Sequence, residues 1–354
     1  MANQQQRKVM KEVVVIGAGL AGLTCAQQLQ QAGINVTVVE KSIGLGGRMA
    51  TRRIQGTWID HGAQYIAPRD DSFVRFIRKL EEKQIVEPWG RNIYLSNARG
   101  LRPLQSDEIY PRYACTSGMT GIAKYLAQEF LNHGDRQKHR ICNNTRIIGV
   151  RCDNQQWQLT TQNNEEITAD AIVATMPAPQ FLPLFESVLD NGSNFLQAVR
   201  LVKFLPNMTI MAGYDYSLVA LPEWQGVKYE DDNILTWVSC NTSKHAGVQK
   251  QLVFVLQSSP EFAAQSMEEP DLEIAGKPML MYAGKTLGKA FANPEWWQVH
   301  RWRFAFAAEP LGVSCLSTTS PLPLICAGDW CAGKTMEAAY TSGMAAAESL
   351  AEML

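Results

Sequence analysis

Three glycines, Gly17, Gly19 and Gly22, constrain this chain more than any other feature, because of what stands on either side of them. Residues 13–16 are a β-branched run, as expected of a strand buried on both faces. Residues 23–32 read as a helix with Leu23, Ala26 and Leu29 on one face, and Gly33 closes it as a C-cap does. Residues 35–40 are a second apolar run that ends on an acid. The pattern is β-α-β with a phosphate turn in the middle. Gly17 permits the tight turn leaving the strand, Gly19 lets backbone approach a pyrophosphate, and Gly22 lets the helix pack closely. The helix N-terminus adds partial positive charge beside Ala18, Leu20 and Ala21. Glu40, 21 residues beyond Gly19, stands where a carboxylate accepts both ribose hydroxyls. Its charge repels a 2′-phosphate, which disfavours NADP and leaves FAD or NAD.

The next residues favour the flavin. After Glu40 and Lys41 comes a second glycine loop, Gly44, Gly46 and Gly47, followed by Arg48. Such a loop brings backbone and a guanidinium against a pyrophosphate, with Arg52 and Arg53 adding charge. Near the end of the chain an apolar strand runs into Gly328 and Asp329, where a carboxylate can meet ribityl hydroxyls. The small-residue helix that follows, with Glu337, Ala338 and Ser342, directs its N-terminus at developing negative charge on a reduced ring. No second GxGxxG lies between residues 177 and 310, so NAD(P)H would visit as a transient substrate.

Periodicity outlines the remainder. Helices are expected over 72–83, 118–132 and 336–353, and strands over 140–150, 157–161, 169–175 and 324–327. Alternation over 204–214, 234–240 and 252–257 predicts an antiparallel sheet. A net charge of -1 provides no basic face for nucleic acid or an anionic membrane. Eight cysteines without a CxxC pair read as reduced thiols, and no metal-ligand spacing is present. The polar residues 1–12 are no signal peptide, and no run reaches the ~18 apolar residues of a membrane span. The expectation is a soluble, cytoplasmic protein.

The segments VVVIGAGLAGLTCAQQLQQAGINVTVVEKSIGLGGRMATRR, DHGAQY (residues 60–65), GMTGIAKYLA, HRWRFA, GDWCAG and EAAYTSGMAAA resemble the renalase-like branch of the amine oxidase flavoproteins. The resemblance is strong at both ends and weak in the middle. It implies an α/β fold of the p-hydroxybenzoate hydroxylase type: a Rossmann-like FAD-binding domain (residues 1–87, 112–178 and 311–354). An α+β substrate domain built on an antiparallel sheet (residues 88–111 and 179–310) interrupts it. It further places Ile147 beside the adenine, Thr175 near the first glycine loop, and Gly62, Ala63, Gln64 and Tyr65 along the flavin ring. Among possible active-site groups it draws attention to His61, as a proton relay, and to Gln257 and Trp302; Trp237 and Arg303 are further pocket candidates. Gln257 stands where a renalase stretch has His, and Asn207 and Met208 replace a frequent Cys-Trp, which leaves the substrate open. The cysteine motif that tethers FAD in some amine oxidases is missing, so Cys331 is not expected to carry a covalent flavin.

The chemistry implied is hydride transfer from a small-molecule substrate to flavin, with oxygen or a quinone as electron acceptor. Dihydronicotinamides are the first substrate class. Amine oxidation is an alternative that needs an aromatic cage, for which Tyr214, Tyr216, Tyr229 and Tyr282 are available. A non-catalytic, FAD-binding redox sensor is the third possibility.

Overall fold

The computed structural model describes residues 11–104, 111–132, 139–217, 219–244 and 251–354. Packing divides them into two compact units: one from Met1–Gly47, Leu126–Val202 and Glu309–Leu354, the other from Arg48–Tyr125 and Lys203–Ala308.

The first unit is built on a six-stranded sheet. Its order is Leu316–Thr318, Leu324–Cys326, Ala171–Ala174, β1 (Glu12–Ile16), β2 (Asn35–Val39), His139–Cys142. All neighbours are parallel except the antiparallel edge strand Leu316–Thr318. Helix α1 (Leu20–Gln31) connects β1 to β2. Val13, Val14, Val15, Val36 and Val38 are at most 1% exposed, which explains why these strands are unbroken branched runs rather than alternating ones. The C-terminal helix Met336–Met353 packs on α1: a Cβ added to Gly343 would lie 2.4 Å from Ala21 O.

Two expected strands are each two. Residues 140–150 divide into His139–Cys142, which joins β2, and Ile147–Asp153, which joins a three-stranded antiparallel sheet. Asn144, at φ 51°, turns the chain between them. Residues 169–175 divide at Asp170, whose side chain accepts from Glu12 N (2.9 Å), into Glu166–Ala169 and Ala171–Ala174.

The second unit contains a seven-stranded sheet ordered Trp296–Ala307, Phe204–Tyr214, Leu252–Ser258, Leu235–Cys240, Gly226–Tyr229, Ile93–Asn97, Gly100–Pro103. Only Gly226–Tyr229 and Ile93–Asn97 run parallel. Alternation gives it two different faces. Met208, Ile210, Ala212 and Tyr214 enter an apolar core with Phe254, Leu256 and helix Leu272–Leu287. Asn207, Thr209 and Met211 occupy the opposite face. The tyrosines proposed for an amine cage belong elsewhere: Tyr214 donates to Phe291 O (2.8 Å) in the core, Tyr229 bonds Thr286 (2.8 Å), and Tyr282 bonds Asp232. Tyr216 is exposed. They form no common cage.

Packing groups residues 48–87 and 112–125 with the antiparallel sheet and residues 179–202 with the six-stranded sheet, whereas the expected division placed the first two in the FAD-binding domain and the third in the substrate domain. Among the described residues no helix is long and apolar enough to cross a membrane.

Candidate cofactor and active site

In the first unit the glycine turn follows from sterics. Gly17 has φ +112°, a conformation L side chains rarely adopt, and its amide donates to Val39 O (2.8 Å). Thr175 closes beneath it, its hydroxyl donating to Ile16 O (3.0 Å) and Gly17 O (3.2 Å). A Cβ at Gly22 would lie 1.9 Å from Gly17 O, so only glycine lets α1 sit this close to β1. At Gly19 a Cβ would meet nothing within 4 Å. Gly19 is also the N-cap of α1, with no side-chain cap and no acid in the first turn. The helix thus begins with uncapped N–H donors beside open space, the arrangement that suits a phosphate.

Glu40 is buried, 6% exposed, with one carboxylate oxygen accepting from Ala18 N (2.9 Å) and the other from Ser42 N (2.8 Å). Each oxygen keeps a lone pair for a hydroxyl. Gly46 N donates to Ala18 O (2.9 Å), and a Cβ on Gly47 would be 3.6 Å from Gly19 Cα, so the second glycine loop folds onto the first. Thr145 N donates to Glu40 O (2.8 Å), which brings the start of the Ile147 strand to the same place. Lys41 donates to Gln180 Oε1 (3.1 Å), and burial lowers its pKa. At the C-terminal end Gly328 N donates to the Ser342 hydroxyl (2.9 Å), Asp329 is buried, and Thr335 caps the last helix by accepting from Ala338 N (3.1 Å). Cys331 is buried, its thiol donates to Cys326 O (3.7 Å), and burial pushes its pKa up to about 12. These residues therefore fit the phosphate and ribose groups of a dinucleotide.

In the second unit the DHGAQY segment crosses the polar face of the seven-stranded sheet. The strand register aligns His300, Thr209, Gln257 and Trp237 in one row. Trp302 Nε1 donates to His61 O (2.9 Å), Gln257 Nε2 to Gly62 O (2.9 Å), and Ser239 Oγ to Gln64 Oε1 (2.7 Å). Three strands of the sheet thus hold three points along the segment. On its other side Ala63 N donates to Arg48 O (2.9 Å), and a Cβ on Gly62 would lie 2.0 Å from that oxygen. Arg48 itself donates to Ala305 O (2.9 Å).

His61 packs edge-on against His300 (4.8 Å between centroids) and stacks on Trp302 (5.4 Å). Its Nδ1 is buried without a hydrogen-bond partner. Burial is the main reason its pKa falls to about 4, with His300 and Arg52 adding to the effect; burial does the same to His300. Both imidazoles are therefore neutral at neutral pH. Tyr65 lies between Trp89 (6.1 Å) and Trp237 (5.4 Å), with the Arg112 guanidinium 5.4 Å over its ring. Arg303 lies outside this cluster, paired with Glu268 (2.5 Å) at the surface.

The structure also contains groups that the sequence does not announce. Lys244 is buried and donates to Asp60 (3.3 Å) and to Gln64 Oε1 (3.2 Å). Burial lowers its pKa, opposed by the Asp60 carboxylate. Gln64 Nε2 donates to Asp60 O (2.6 Å) and Gly62 O (2.9 Å), so its amide is saturated. A lone lysine in the polar stretch NTSK reads as solvated; only the sheet's topology buries it.

Family models match residues 15–80 as an NAD(P)-binding Rossmann-like domain and residues 84–351 as flavin-containing amine oxidoreductase. The chain belongs to the flavin-containing amine oxidoreductase family. It is a flavin-dependent oxidoreductase with the Rossmann-like and antiparallel-sheet architecture expected of that family. Renalase from Mus musculus is 21% identical over 335 residues, covering 90% of this chain and 93% of renalase. An L-amino acid dehydrogenase from Synechocystis is 32% identical over 78 residues, and an L-amino-acid oxidase from Siganus canaliculatus is 48% identical over 69. Those two matches span 17% and 13% of the relatives' lengths. Among solved structures, putrescine oxidase bound to putrescine (TM-score 0.70, 14% identity) and cyclohexylamine oxidase from Brevibacterium oxydans (TM-score 0.68, 15% identity) each match 97% of this chain and 99% of theirs. They share its fold.

Proposed function

We propose that the chain is an FAD-dependent oxidoreductase that takes a hydride from a dihydronicotinamide, NAD(P)H or an isomer, and passes the electrons to oxygen or a quinone. FAD, when bound, supplies the hydride-accepting ring. In this reading Gly17, Ala18, Gly19, Leu20, Ala21, Gly22, Glu40, Lys41, Gly46, Gly47, Arg48, Ile147 and Thr175 hold the adenosine and pyrophosphate. Gly328, Asp329, Glu337, Ala338 and Ser342 hold the ribityl chain and ring. Gly62, Ala63, Gln64 and Tyr65 border the ring, with His61, Gln257 and Trp302 fixing that segment. The cofactor is held non-covalently, and the work of these residues is orientation and exclusion of water rather than proton transfer.

The observation that carries the substrate class is Arg112 over Tyr65. Among the described residues Arg112 has no carboxylate partner; it donates to Gly90 O (3.2 Å) and lies on the Tyr65 ring. An ammonium seated on the same ring would share it with this cation, which lies 5.4 Å from the ring centroid and repels it. A phosphate-bearing nicotinamide is instead attracted. The full-length likeness to renalase supports the same reading. The cluster of Trp89, Tyr65 and Trp237 favours the amine alternative, since aromatic faces bind cations.

Product analysis separates the two. Incubation in air or with a quinone is expected to convert NAD(P)H or an isomer to NAD(P)+ with no turnover of putrescine or benzylamine. Aldehyde formed from an amine, with the nicotinamides untouched, overturns the proposal.

A further inference from the structure

Asp60 and Lys244 form an ion pair with no exposed side-chain surface on either partner. Such a pair is weak support for stability: desolvation costs several kcal/mol per ion, and an apolar pair of the same volume is often neutral or better. Its geometry points to another role. Asp60 ends the strand Thr57–Asp60, immediately before the segment that crosses the sheet. One of its oxygens accepts from Thr51 Oγ1 (2.7 Å) and Met119 N (2.8 Å), and the other from Lys244 (3.3 Å). Its amide donates to Asn241 Oδ1 (3.2 Å). Lys244 divides its remaining contacts between Gln64 Oε1 (3.2 Å) and the face of Trp89 (5.4 Å). Gln64 in turn draws in the Asp60 and Gly62 carbonyls. One ammonium therefore holds the carboxylate before the segment and the amide near its end.

We propose that Lys244 is a positioning residue for the flavin reaction: shared between Asp60 and Gln64, it fixes residues 61–65 against the polar face of the sheet. The role rests on the reading that this segment borders the flavin ring. Without the ammonium the Gln64 amide can rotate, two carbonyls lose their donor, and Asp60 is left charged and buried.

The test uses the FAD-loaded full chain with Lys244→Met and with Asp60→Asn/Lys244→Met, in which no charge is left unpaired. Backbone hydrogen exchange over residues 59–66, thermal unfolding and anaerobic flavin reduction by NADPH are measured on each. We expect exchange over 59–66 to quicken at least tenfold in both variants, and flavin reduction to slow at least tenfold. The double variant is expected to unfold within a few degrees of the wild type. Unchanged exchange overturns the proposal, as does faster exchange with an unchanged reduction rate. A double variant that no longer folds assigns the pair to stability alone and also overturns it. A wild-type flavin that neither nicotinamides nor amines reduce sinks the functional reading instead, a result that the exchange measurement keeps separate.

Discussion

A methyl group at Gly19 and one at Gly22 are expected to do opposite things, although the two positions share one turn. At Gly19 the backbone lies at φ -79° and ψ -176°, which any residue adopts, and a Cβ meets no atom within 4 Å. Gly19→Ala therefore leaves the apoprotein's stability unchanged or raises it by about 0.4–1 kcal/mol, through the unfolded chain. The methyl instead occupies the space a pyrophosphate needs over the helix N-terminus. Losing one hydrogen bond to a charged group costs about 1.5–3 kcal/mol, or roughly 10- to 150-fold in FAD affinity. At Gly22 the Cβ would lie 1.9 Å from Gly17 O and 2.9 Å from Thr175 Oγ1. The nearer atom is backbone, so α1 must lift from β1, an overpacking that costs about 1–3 kcal/mol or more. The assay is titration of apoprotein with FAD, followed by flavin fluorescence, beside thermal unfolding of the apoprotein. We expect Gly19→Ala to lose affinity alone and Gly22→Ala to lose both. Gly19→Ala with wild-type affinity, or with the instability of Gly22→Ala, refutes the reasoning.

Three further outcomes follow. Burial holds His61 and His300 at a pKa of about 4, below the unfolded value of about 6.5. The unfolded chain therefore binds more protons in that window, and stability falls as pH drops from about 6.5 towards 4, by at most about 1.4 kcal/mol per pH unit for each histidine. Denaturant melts across that range should show the slope, reduced in His300→Gln; stability independent of pH there contradicts the burial argument. Arg112→Gln should raise the KM for NADPH about tenfold, the effect of losing one charge-assisted contact, while leaving thermal stability near the wild type; steady-state kinetics reads this directly. Acid precipitation should release all of the flavin into the supernatant, and Cys331→Ala should bind FAD as the wild type does; flavin retained on the precipitated protein contradicts non-covalent binding.

Local rules made much of the first unit legible in the sequence. The glycine turn, β1, α1, β2 and the helix Met336–Met353 depend on neighbours close in the chain, and Gly17, Gly22 and Glu40 act where spacing alone places them. Strand Phe204–Tyr214 emerged from its alternation for the same reason. What stayed hidden depends on tertiary pairing. Residues 140–150 read as one strand although Asn143, Asn144 and Thr145 mark a turn between two short apolar runs; that the two halves join different sheets depends on pairing far along the chain. Helix Leu272–Leu287 gives little helical signal in the sequence because Pro278 lies inside it. Gln64 was picked out from its motif, but its saturation by Ser239 and Lys244 is visible only once the strands are aligned. His300 and Lys244, far along the chain from DHGAQY, carry no spacing that links them to it.

The most direct test of the central claim is anaerobic stopped-flow mixing of the purified FAD-loaded protein with NADPH, NADH and their dihydro isomers, beside putrescine and benzylamine, read by loss of flavin absorbance. The account predicts that at least one nicotinamide bleaches the flavin, and that admitted oxygen or a quinone restores the colour. Bleaching by an amine with none by any nicotinamide would contradict it.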